Sequence, residues 1–77
     1  MKELLEFILK NLLADKEFSV EEKLDGDKVN LTILVPQDKI GLIIGKEGKV
    51  IKSIRNLLRV KATLEKKVVF LSVEEKK

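Results

Sequence analysis

Cysteine, histidine, tryptophan and tyrosine are all missing from these 77 residues. Without cysteine there can be no disulfide framework, and without either cysteine or histidine the common zinc sites go as well. The same absences remove thiolate and imidazole catalysis. What is left, residues such as Ser19 and Ser53 with lysines and carboxylates, shows no arrangement suggesting an activated nucleophile. The chain therefore reads as a non-enzyme needing no cofactor. Aromatic rings are limited to Phe7, Phe18 and Phe70, too few for a sheet that stacks bases. No apolar run approaches the roughly 18 residues of a membrane span. Glu3, Glu6 and Lys10 interrupt the apolar N-terminal stretch, so it does not read as a signal peptide. These absences suit a cytoplasmic chain.

What is present begins with a 44% apolar composition, too hydrophobic for disorder. The length allows one domain, 1–77, near the lower limit for a self-supporting core. The net charge of +3 hides an uneven distribution. Residues 1–36 carry five Lys and eight Asp/Glu, a balance of −3. Residues 37–67 carry nine Lys/Arg and three acids, a balance of +6, and the last ten residues sum to zero. A cationic segment of this kind suits either a polyanionic partner or an ordinary solvated helix face.

Hydrophobic periodicity sets out the elements. Leu4, Leu5, Ile8, Leu9, Leu12 and Leu13 form one stripe of an amphipathic helix over about 2–14. Phe18, Val20 and Leu24 fall on alternate positions, with Glu22 as the exception, and predict a strand. Asp25-Gly26-Asp27 is a turn signal. Val29, Leu31, Ile33 and Val35 then alternate with Asn30 and Thr32, so a second strand closes a hairpin and Pro36 ends it. Asp38 fits an N-cap for a short helix from Lys39 to Ile44. Val50, Ile51, Ile54, Leu57 and Leu58 predict a second amphipathic helix, 48–61, with Ile51 and Ile54 in the core. A basic link at Leu64–Lys67 leads to a last strand, Val68–Val73.

The order is thus α-β-β-α-α-β. A right-handed crossover makes the last two strands parallel neighbours, while the first two pair antiparallel. The fold class is α+β, a three-stranded mixed sheet with three helices on one face. Leu34, Val68 and Phe70 would form an apolar strip on the open face.

Between the two middle helices lies Ile44-Gly45-Lys46-Glu47-Gly48-Lys49-Val50-Ile51. Glycine inside a helical pattern costs about 1 kcal/mol relative to alanine, and Gly41 adds a third just upstream. Bare backbone at a helix N-terminus suits close approach of a sugar-phosphate chain to amides lacking intrahelical acceptors. A phosphate-binding NTPase loop is excluded. Gly41-x-x-x-Gly45-Lys46 is one residue short of that motif, and Glu47 stands where Ser or Thr must hold magnesium.

The stretch Ile44–Ile51 matches the I-G-x-x-G-x-x-I signature of KH domains, and the element order resembles the type II KH fold. End to end, the chain resembles the bacterial single-KH RNA-binding proteins of the KhpA family. That resemblance implies a single-stranded RNA partner bound with little sequence discrimination, in the role of RNA chaperone or post-transcriptional regulator. It implies that Gly45, Lys46, Glu47 and Gly48 contact the nucleic-acid backbone. Gly41 and Ile44 would line an apolar groove with Lys49, Lys52 and Arg55 beside it, and backbone near Val69 would form the far wall. Glu47 departs from more basic loops of the family. The alternative implied is a protein-interaction or dimerisation module, a homodimer or the partner of a larger KH protein of the KhpB type.

Overall fold

The computed structural model describes residues 1–13 and 18–76. Its elements are α1 (Lys2–Leu12), β1 (Ser19–Asp25), β2 (Lys28–Val35), α2 (Gln37–Ile44), a 3₁₀ turn (Lys46–Gly48), α3 (Lys49–Leu64) and β3 (Val68–Glu75). The strands lie in the order β1-β2-β3, β1 antiparallel to β2 and β3 parallel to it. This α+β arrangement, with all three helices on one face, is the one the type II KH resemblance implies. The expected helix end at Ala14 lies outside the described residues.

Alternation along β2 generates the core. Val29, Leu31, Ile33 and Val35 are buried and meet Leu5, Leu9 and Leu13 of the α1 region, Val20, Ile43, and Ile54 and Leu58 of α3. The intervening side chains face away, where the Thr32 and Ser72 hydroxyls sit 3.2 Å apart. Glu22 breaks the apolar alternation of β1 for a local reason: its Oε2 accepts the Lys2 amide at 3.3 Å, at the positive end of α1. In the hairpin turn only Gly26 has positive φ, +62°, which spares Asp27 the left-handed region.

Three boundaries differ from the sequence expectation. Asp38 is not the N-cap of α2, because Pro36 takes that place and its carbonyl accepts the Lys39 amide at 2.9 Å. The helix therefore starts at Gln37, and Asp38 sits in its first turn against the dipole. Second, α3 runs to Leu64 and ends in a Schellman motif. Lys66 adopts φ +56°, its amide donates to Thr63, and Lys67 donates to Ala62 at 2.7 Å. Third, β3 continues to Glu75, and Lys76 still donates to the Val35 carbonyl at 2.7 Å.

The expected apolar strip on the open face is broken in two. Val68 pairs with Lys28 and Phe70 with Asn30, whereas Leu34 pairs with Glu74. Leu34 is four residues along β2 from Asn30, about 13 Å at strand rise, with the Thr32–Ser72 pair between them.

Candidate nucleic-acid interface

The glycine stretch folds as a hinge between α2 and α3, and its glycines have different reasons to be glycine. Gly45 ends α2 at φ +78°, ψ 175°, a region open essentially to glycine alone. Its amide donates to Gly41 O at 2.8 Å. A Cβ there would collide with Val50 Cγ2 and sit 2.9 Å from the Val50 backbone nitrogen. Gly48 opens α3 at φ +73°, but a Cβ on it would meet nothing within 4 Å. Gly41 has neither constraint: its φ is ordinary and the space around it is open. The fold would gain from alanine at Gly41, so packing does not account for its bareness.

Lys46 and Glu47 are the exposed tip of the turn, with Glu47 in the left-handed region at φ 57°. Two amides that the sequence left without acceptors are used inside the turn. Gly48 N–H donates to Gly45 O at 3.2 Å, and Lys49 N–H donates to Lys46 O. An anion at the turn is therefore met by the dipole of the 16-residue α3, with no acid in its first turn, and by lysines.

Of the expected site residues, Gly41, Ile44 and Gly45 share one side of α2, spaced three and four apart. Gly45 through Gly48 are held together by the turn. Along α3 the cations separate. At 100° per residue, Lys52, Arg55 and Arg59 fall in one stripe on the β3 side. Lys49 lies away from that stripe, and it borders a shallow depression between α1 and α3 with Ile8, Leu12 and Leu57. Arg55 is two turns past the loop and lines a cleft against β3. None of Lys46, Lys49, Lys52, Arg55 and Arg59 forms an ion pair among the described residues.

Two features escaped the sequence reading. Arg59 continues the cationic stripe, four residues past Arg55, a spacing that could have placed it in the site. Leu57, one of the periodic apolar residues that predicted α3, is 55% exposed, and Val60 and Leu64 are 62% and 80% exposed. These three recur at i, i+3 and i+7 and form an apolar ridge beside the seam of Ile54 and Leu58, the signal that would have distinguished them.

The chain is similar to known proteins along nearly its whole length. A family model described as "KhpA/KhpB, KH domain" matches residues 2–73. The chain is 35% identical over 74 residues to "RNA-binding protein KhpA" of Clostridium perfringens, covering 95% of this chain and 99% of that one. To the protein of the same name from Chlamydia trachomatis it is 37% identical over 78 residues, covering all of both. To that of Thermotoga maritima it is 43% identical over 60 residues, or 75% of this chain and 79% of that one. Among solved structures, a point variant of Aquifex aeolicus Era bound to GDP·AlF4⁻ superposes with a TM-score of 0.58 at 21% identity. That match covers 97% of this chain and 29% of the larger one, and it speaks for the fold alone.

Proposed function

The chain belongs to the KhpA/KhpB KH-domain family, and from that premise we propose that it binds single-stranded RNA, non-catalytically, at the glycine turn. The backbone of the strand lies on Gly45, Lys46, Glu47 and Gly48, with Gly41 and Ile44 beneath the bases. Lys49, Lys52 and Arg55 add charge. The observation that carries this reading is the open, unconstrained glycine at position 41, on the same side as the turn, whose Lys46 forms no ion pair among the described residues. Bare surface that destabilises a helix is accounted for by close approach of a ligand. One KH domain clamps about four nucleotides, so affinity is modest and sequence discrimination low. Such a role is that of an RNA chaperone or post-transcriptional regulator acting in the cytoplasm.

The test is the double variant Lys46→Asp/Glu47→Asp. Aspartate tolerates the left-handed φ at position 47, so the melting curve stays unchanged while binding to unstructured RNA is lost. Unchanged affinity in this variant contradicts the reading.

A second reading, association with protein, is favoured by the ridge of Leu57, Val60 and Leu64. Exposed apolar surface of this kind on a small domain marks an interaction site. Its occupant is a second copy or a larger KH-containing partner of the KhpB type, and joining two RNA sites in this way raises affinity through avidity. Sedimentation at micromolar concentration checks it: Val60→Asp shifts the chain to monomer if the reading holds. A strict monomer that captures no KH partner contradicts it.

A further inference from the structure

Within the stretch 44–51 Glu47 is the only acid, and little inside the fold calls for it. Its φ of 57° is a conformation that favours glycine, asparagine or aspartate over a longer side chain. Its carboxylate joins no hydrogen bond or ion pair among the described residues. The dipole of α3 favours a negative charge at this end, but aspartate would satisfy dipole and backbone together. What glutamate adds is reach. It stands exposed at the tip, between Lys46 and Gly48, where a Cβ on the glycine would meet nothing within 4 Å. The Gly45, Gly48 and Lys49 amides are already donated inside the fold. The side chains of Lys46 and Glu47 therefore carry much of what the tip offers a ligand.

We propose that Glu47 makes the turn select ribose over deoxyribose. The inference rests on the RNA reading above and adds which kind of strand the turn accepts. A carboxylate only accepts hydrogen bonds. Phosphodiester oxygens also only accept, and they are negative, so Glu47 repels the phosphates of RNA and single-stranded DNA alike. Within a sugar-phosphate backbone the one donor is the ribose 2′-hydroxyl, which deoxyribose lacks. By accepting from that hydroxyl, Glu47 offsets its own repulsion, and it does so for RNA alone. Lys46 meets the phosphate while the glutamate side chain reaches the sugar. Selection then comes from leaving the wrong strand beside an uncompensated charge.

Fluorescein-labelled octamers of uridylate, deoxyuridylate and 2′-fluoro-uridylate, compared by fluorescence anisotropy at about 0.1 M salt, test the assignment. The three probes differ at the sugar 2′ position alone. Wild-type protein binds the ribose probe about tenfold more tightly than the deoxy probe. The fluoro probe, which has no donor, groups with the deoxy one. Glu47→Gly fits the left-handed φ and removes the carboxylate, so it brings the ratio close to one, chiefly by strengthening deoxy binding. Glu47→Gln keeps the reach, removes the charge and lowers the ratio in the same direction. A carboxylate acting through charge alone weakens both strands equally, so a ratio left unchanged by both variants overturns the assignment. A fluoro probe bound as tightly as the ribose probe also overturns it, tracing selection to sugar shape. Failure of the RNA reading looks different: wild-type protein then binds none of the probes, which overturns both claims.

Discussion

The two flanks of α3 are built from the same helix and differ in almost everything else. Toward β3 it presents Lys52, Arg55 and Arg59, charged and unpaired among the described residues. Toward α1 it presents Leu57, Val60 and Leu64, apolar and exposed. Between them runs the buried seam of Ile54, Leu58 and Ala62, which anchors the helix on the sheet. A helix serving only to cover a sheet needs one apolar stripe and a polar remainder. This one has a second apolar stripe and carries three of its five cations, Lys52, Arg55 and Arg59, on the other side of the buried seam. On the proposed reading, the difference separates two kinds of binding on one element: a polyanion on one flank, protein on the other.

The comparison breaks most sharply under charge reversal. Arg55→Glu/Arg59→Glu should weaken RNA binding by roughly a hundredfold at about 0.1 M salt, with the sedimentation coefficient unchanged. Anisotropy and sedimentation on the same sample check both halves. The complementary change, Val60→Asp/Leu64→Asp, should abolish association and leave binding to a four-nucleotide RNA intact. On long RNA it should lose the avidity gained by joining two sites, about tenfold or more. Both residues are exposed, so the melting temperature should move little.

Smaller effects sharpen the role of the hinge that joins the flanks. Gly45→Ala meets both a forbidden φ and Val50, and should destabilise the fold by about 3 kcal/mol in urea titrations. Gly41→Ala should do the reverse, adding about 0.5–1 kcal/mol of stability while weakening RNA binding severalfold. A stabilised variant that binds RNA as well as the parent would remove the reason given for that glycine. The smallest change is Lys66→Gly, at the left-handed position that closes α3. It should raise stability by up to about 1 kcal/mol and alter neither flank.

Much of this was legible from residue order. The alternation Val29–Val35, the stop at Pro36 and the glycines in a helix-compatible run place the hairpin, the crossover and the turn. Leu57 was grouped with the buried side because Val50, Ile51, Ile54, Leu57 and Leu58 fit one helical stripe, of which only Ile54 and Leu58 are buried. The end of α3 was read three residues short, since its closing residue is Lys66, where glycine would have signalled the cap. Leu34 was joined to Val68 and Phe70 because parallel register depends on the length and path of the crossover, which alternation does not record. Arg55 was named with the turn, yet its place in the cleft needed the position of β3.

An amide chemical-shift titration of the ¹⁵N-labelled chain with an unstructured octauridylate tests the division between the flanks most directly. Binding along the turn and the cationic flank shifts Gly41, Gly45 through Lys49, Lys52, Arg55 and Arg59, and leaves Leu57, Val60 and Leu64 unmoved. Shifts confined to the apolar flank, or none at saturating RNA, would contradict it.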